Sequence, residues 1–169
     1  MASLTPSFTE FLPRWMASQR WYSGKGREPR LRRLGGLRWE DPAGEVGIET
    51  HIVVDEAGPE PVVYHVPLTY RPAPVEALHT ALVATPEHHE LGTRFVYDGT
   101  ADPAYVQALL DTIHSGGTVT SEEGEDGGTA TGHPLDPALP RPVVKRSAVL
   151  TGEQSNTSII IELEEADET

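Results

Sequence analysis

The chain contains no cysteine, which excludes disulfides and thiolate metal sites. No apolar run approaches the ~18 residues that a membrane-crossing helix needs, and no charged-then-apolar leader opens the sequence. Bases are scarce: 13 Lys and Arg stand against 26 Asp and Glu, a formal net charge of −13. That sign argues against nucleic acid and anionic membrane as partners, since both need a basic surface. A local phosphate site on an acidic protein stays open. Hydrophobic residues make up 37%, while Gly numbers 16 and Pro 15, so part of the chain is expected to be loop or linker. At 169 residues it fits one large domain or two small ones, and a soluble cytoplasmic protein is the expectation.

The first element is "TPSFTEFLPRWMASQRW". Phe8, Phe11, Leu12 and Trp15 fall at i, i+3, i+4 and i+7, one apolar helical face, with Thr5 or Ser7 as cap. Pro13 removes an interior hydrogen bond, so two short helical pieces are expected, the second starting near Pro13. Gly24 and Gly26 of "SGKGR" are expected to end the helix. Leu31 to Trp39 predicts a strand with a glycine bulge, and "DPAG" (Asp41 to Gly44) a turn. "EVGIETHIVVDE" and "PVVYHVPLTYR" read as two strands joined at "AGPEP". In the first, Val46, Ile48, Thr50 and Ile52 alternate with Gly47, Glu49 and His51, the pattern of a half-buried strand. Pro67 points to an edge position or a strand end. Ala73 to Glu90 fits a helical turn or a poor strand, and Gly92 to Gly99 one more strand. The clearest signal is "DPAYVQALLDTIHSGG": Asp102 as N-cap, Pro103 at the first helical position, Val106, Leu109, Leu110 and Ile113 as the stripe, Gly116 and Gly117 as the stop. Residues 118–142 have few apolar anchors and predict a linker. A hairpin, Val143 to Leu150 and Ile159 to Leu163, follows.

That hairpin encloses Gln154, Ser155, Asn156, Thr157 and Ser158. Their hydroxyl and amide groups can supplement backbone N–H donors around a phosphate, as loops over nucleotides do. They also favour plain exposed turns. "RWYSGKGR" (Arg20 to Arg27) concentrates bases, and suits either an anion or a helix C-terminus whose dipole attracts cations. In "EHHELG", His88, His89 and Glu90 are adjacent, so their side chains diverge, and the helical His-Glu-x-x-His spacing is absent. No metal site is assigned there. His51 and His65 fall on strands and are expected to be half-buried or solvated. No Ser/His/Asp triad, carboxylate pair or Gly-x-Gly-x-x-Gly fingerprint is present, so no catalytic residue is assigned.

Three stretches in order, "QRWYSGKGR", "FVYDGTADPAYVQALLDTI" and "LTGEQSNTSIIIE", resemble the N-terminal region of actinobacterial maltokinases and of the kinase part of trehalose synthase–maltokinase fusions. The resemblance implies an α+β fold: a curled antiparallel sheet packed on a helix, cystatin-like or monellin-like, as an N-terminal cap over residues 1–117. A linker at 118–142 and the first hairpin of a kinase-like intermediate subdomain at 143–169 would follow. It implies that Gln154, Ser155, Asn156, Thr157 and Ser158 lie over the ATP phosphates. ATP and Mg2+ are then cofactors of the complete enzyme, with none bound tightly by this chain. The implied partners are a C-terminal kinase lobe and a sugar, the type reaction being maltose to maltose 1-phosphate. The lysine, aspartate base and magnesium ligands of phosphoryl transfer lie in the family beyond this loop, so the chain alone is expected to be inactive. A stand-alone, non-catalytic binding or regulatory module is the alternative.

Overall fold

The computed structural model describes residues 4–121, 128–150 and 157–164. The described residues form an α+β arrangement of antiparallel strands with two α-helices. In chain order these are β1 (Leu4–Thr5), α1 (Phe8–Ser18), β2 (Leu31–Trp39), β3 (Gly47–Asp55), β4 (Val62–Arg71), β5 (Leu82–Ala84), β6 (Glu87–His88), β7 (Gly92–Thr93), β8 (Phe95–Asp98), α2 (Pro103–Ser115), β9 (Thr118–Thr120), β10 (Thr129–Thr131), β11 (Val144–Val149) and β12 (Ile159–Leu163). A five-stranded sheet in the order β2-β3-β4-β8-β5 is the frame.

Local chemistry explains the joints. Asp41 accepts backbone N–H groups from Ala43, Glu45 and Val46, and Gly44 adopts φ +68°, so the "DPAG" turn closes β2 onto β3. The expected bulge is present, as the β2–β3 register shifts between Arg33 and Gly35. A side chain on Gly36 would meet the Thr50 carbonyl at 2.5 Å, so the crowded strand pair admits only glycine there. Asp102 caps α2 through the Ala104 N–H at 2.9 Å, and Gly116 ends it in the left-handed conformation at φ 65°.

Four expectations change. The first helix is one piece with Pro13 inside it. Pro13 forfeits only its bond to the Thr9 carbonyl, which is on an exposed residue where water can replace it, while Phe11, Leu12 and Met16 are buried. It ends at Ser18, before the glycines of "SGKGR". Second, β3 is covered on both faces: Ile48 and Thr50 are buried, and so are His51, Val53 and Asp55. His51, expected half-buried or solvated, is therefore enclosed, with Phe8 at a ring-centroid distance of 4.4 Å. Third, Gly92 to Gly99 is not one strand. Gly92, at φ +70°, opens β7 by pairing with His88 of β6, and Arg94, whose N–H bonds the Pro86 carbonyl, separates β7 from β8. Fourth, α2 buries Tyr105 and Val106, whereas Ile113 is exposed. Pro67 sits within an internal strand, but the β4–β8 ladder begins only at Leu68, so at Pro67 the strand has an open edge.

Cross-strand partners share a face of the sheet. Under α1, Phe11, Leu12, Met16 and Tyr22 pack on Val53, Val66, Leu68 and Val96. On the opposite face, Tyr105 and Val106 of α2 pack on Trp39 and Ile48. Asp102, fully buried, ties β4 to α2: it accepts from Thr69 Oγ1 at 2.7 Å and from Arg71 Nε and an Arg71 terminal nitrogen at 2.8 and 2.7 Å. Within residues 118–142, expected as linker, β9 and β10 pair as a short hairpin. A side chain on Gly132, just after β10, would lie 2.1 Å from the Thr112 carbonyl, so this segment rests directly on the backbone of α2.

Candidate functional site

The site begins with two β-branched runs. β11 and β12 pair antiparallel from Val149↔Ile159 to Val144↔Leu163, with a bulge between Val144 and Arg146. Beyond Val149 the Leu150 N–H reaches the Ser158 carbonyl at 2.9 Å, which closes the neck of the loop. Thr157 is exposed and Ser158 half-buried. Gln154, Ser155 and Asn156 lie outside the described residues. Of the five sequence-predicted site residues, the structure therefore places only Thr157 and Ser158, at the end of a short two-stranded stem. Lys145, within β11, pairs with Glu162 at 2.9 Å at the surface and is thus directed to a carboxylate on the partner strand.

A two-stranded stem has little stability alone. Here it leans on α2: Val144, Ile159 and Ile161 pack against the cluster of Trp39, Ile48, Tyr105 and Val106. Trp39 is held in turn by its Nε1–H to Thr112 Oγ1 at 2.9 Å and by edge-on contact with Tyr105 at 5.7 Å. An open cleft of about 430 Å³ between α2 and the turn after Trp39 is lined by Asp41, Asp111, Thr112 and Arg141. Its one cation–anion pair, Arg141 with Asp111, is bidentate at 2.7 Å for each bond.

The second sequence candidate, Arg20 to Arg27, occupies the other core. Tyr22 donates to Asp55 at 2.7 Å, and Asp55 also receives the backbone N–H groups of Arg30 and Ala57 at 2.9 and 3.0 Å. Burial, first, and the Asp55 carboxylate beside it push the Tyr22 phenol up to about 12. Burial alone would raise Asp55, but those hydrogen bonds hold it below the usual carboxylate range. Ser23 bonds the Tyr64 hydroxyl at 2.6 Å, and Lys25 donates to the Gln19 carbonyl just past α1. A side chain on Gly24 would overlap the Tyr22 hydroxyl at 2.3 Å. The segment therefore fastens the end of α1 to the β3–β4 turn, which is the capping reading of its bases. The two candidates are not brought together, as Tyr22 and the hairpin belong to cores on opposite faces of the sheet.

His88 closes a turn by accepting the N–H groups of Glu90 and Leu91, both at 3.1 Å, and stacks on His89. Among the described residues no group of three or more His, Asp or Glu is placed to hold a metal ion, and no helix is long and apolar enough to cross a membrane. Sequence reasoning missed Asp55, Gln107, Asp111 and Arg141. Each draws its meaning from a partner at least 25 positions away, apart from the local i, i+4 spacing of Gln107 and Asp111.

The five-stranded antiparallel sheet and the helix packed under it have a counterpart among known families. The family model of the maltokinase N-terminal cap domain matches residues 15–102. That is more than half of the chain, which belongs to this family. The match covers α1 from Trp15, the whole five-stranded sheet and the N-cap of α2.

Proposed function

We propose that the chain is the cap and ATP-phosphate-loop portion of a sugar kinase resembling maltokinase. The observation that carries the reading is the β11–β12 stem, which packs directly on Trp39 and Ile48 of the family's cap and brackets the polar stretch Gln154 to Ser158 in the sequence. In this reading the sheet holds α1 as the cystatin-like or monellin-like cap, and the hairpin opens a kinase-type small lobe. The transferred phosphoryl group leaves ADP and bonds to the anomeric oxygen of maltose, whose proton passes to a base in the kinase lobe. ATP and Mg2+ serve that complete enzyme.

Gln154, Ser155, Asn156, Thr157 and Ser158 carry amide and hydroxyl donors, which suit phosphate oxygens. Their role is to orient the phosphates from above, where charge spreads over the phosphoryl oxygens. The lysine, base and magnesium ligands come from the kinase lobe, the chain's expected partner.

The test joins residues 1–169 to a maltokinase catalytic lobe and replaces Ser155, Asn156 and Thr157 by Ala. Each hydrogen bond to a charged group is worth about 1.5–3 kcal/mol, so KM for ATP rises, turnover falls, or both, by at least about tenfold. KM for maltose stays as it was. A change in the maltose constant alone would reject the reading. The 169-residue chain by itself releases no ADP above the protein-free rate.

A further inference from the structure

α2 presents Gln107 and Asp111, one turn apart, to the residues that lead into β11. Gln107 Nε2 donates to the Pro142 carbonyl at 3.0 Å, and Gln107 Oε1 accepts the Val144 N–H at 2.7 Å. Bonding the C=O of one residue and the N–H of the next but one is what a residue of a neighbouring parallel strand does. The side-chain amide thus replaces a strand along this edge. The edge turned the other way is also engaged, since the Val143 carbonyl accepts the Glu164 N–H at 2.9 Å. The same Gln107 Nε2 reaches Asp111 Oδ1 at 2.9 Å, and Asp111 takes Nε and a terminal nitrogen of Arg141, both at 2.7 Å. Three residues at the root of the hairpin, Arg141, Pro142 and Val144, are therefore held by one i, i+4 pair on the cap's second helix.

We infer that Gln107 and Asp111 are positioning residues that set the β11–β12 stem, which carries the loop proposed to bind phosphate, at a fixed place relative to the cap. The inference rests on the role proposed for that loop. Apolar packing of Val144, Ile159 and Ile161 holds the stem on α2 but is non-directional and permits sliding. Hydrogen bonds to a bidentate amide and a bidentate carboxylate fix register and angle. Transfer chemistry needs its groups placed within about 0.5 Å, and a two-stranded stem cannot supply that reference itself. The cap supplies it.

The absence of cysteine makes a direct measurement possible. Val63 and Ile160, which are 58% and 59% exposed, are replaced by Cys and spin-labelled in the 169-residue chain. One narrow distance distribution between β4 and β12 is expected. Gln107→Ala with Asp111→Ala broadens it, and Arg141→Ala, which leaves α2 untouched, broadens it less. Exchange of the Val144 amide accelerates up to about tenfold, the loss of one hydrogen bond, while amides of β3 and β4 keep their protection. An unchanged distribution in all these variants, or unchanged Val144 exchange in Gln107→Ala, overturns the inference. With a kinase lobe attached, Gln107→Ala raises KM for ATP and not for maltose. Failure of the phosphate-loop reading looks different: replacing Ser155, Asn156 and Thr157 leaves ATP use unaltered, while the labelled distance still depends on Gln107.

Discussion

The two faces of the five-stranded sheet share the same strands and are built by different physics. Under α1 the centre is dispersive: Leu12, Met16, Val53, Leu68 and Val96 have no exposed surface, with Tyr22 and Asp55 paired at one end of the face and Glu49, His51 and Tyr70 at the other. Under α2 the strands contribute Thr50, Pro67 and Thr69 beside Ile48, and the helix enters through a buried carboxylate. Apolar burial supplies stability without direction, whereas charge-assisted hydrogen bonds are short and directional. The face on which a buried carboxylate joins a helix directly to the sheet is also the one that carries the hairpin. The difference suggests a division of labour: one face holds the fold, and the other aims what is attached to it.

The largest effect expected from breaking this contrast is on the polar face. Asp102→Ala leaves Arg71 without its partner in a part-buried site and removes the cap of α2, a loss of about 3–5 kcal/mol measurable by urea unfolding. The same carboxyl sets an acid limit. Burial alone would raise Asp102, Asp55, Asp41 and Glu49, yet hydrogen bonds and neighbouring cations hold all four below their ordinary values. The unfolded chain then binds protons more readily than the folded one. Stability from these groups is complete above the unfolded values of 3.8 for Asp and 4.5 for Glu, and is lost as pH falls through the lower folded values. Asp98, pushed up by burial, works in the opposite direction. Asp102→Asn should flatten the acid limb of melting temperature against pH.

On the apolar face, Leu12→Ala should lower unfolding free energy by about 2–5 kcal/mol, transfer and cavity terms together. The comparison sharpens if the labelled distance between β4 and β12 stays narrow in Leu12→Ala although stability falls. It breaks if that distance spreads as much as in Gln107→Ala.

The smallest effect is at the rim. Tyr22→Phe removes one of three donors to Asp55, and the two backbone donors remain. A loss of about 1 kcal/mol follows, seen as a lowered melting temperature at unchanged helix content.

The sequence by itself determined the elements whose signals are local. Asp102, Pro103 and Gly116 bound α2 because caps act within a turn of the helix end, and "DPAG" closes β2 on β3 because its geometry is internal to four residues. β3 and β4 were legible from period-2 alternation, and the maltokinase cap family from "QRWYSGKGR" and the residues around Asp102. Tertiary structure decided which faces are covered. β3 reads as half-buried because Gly47, Glu49 and His51 alternate with Val46, Ile48, Thr50 and Ile52, yet polar residues along it are enclosed by partners from elsewhere in the chain: Arg33 for His51, Tyr22 for Asp55. Pro13 reads as a break, but packing of Phe11, Leu12 and Met16 outweighs one missing hydrogen bond at an exposed turn. Gln107 and Asp111 carry no local signal beyond their i, i+4 spacing; the return of the chain 30 or more residues later gives them Arg141, Pro142 and Val144 as partners. Local rules carry the first set because their cause lies within a few bonds. The second set depends on which surfaces meet, and no periodicity in a single sequence records that.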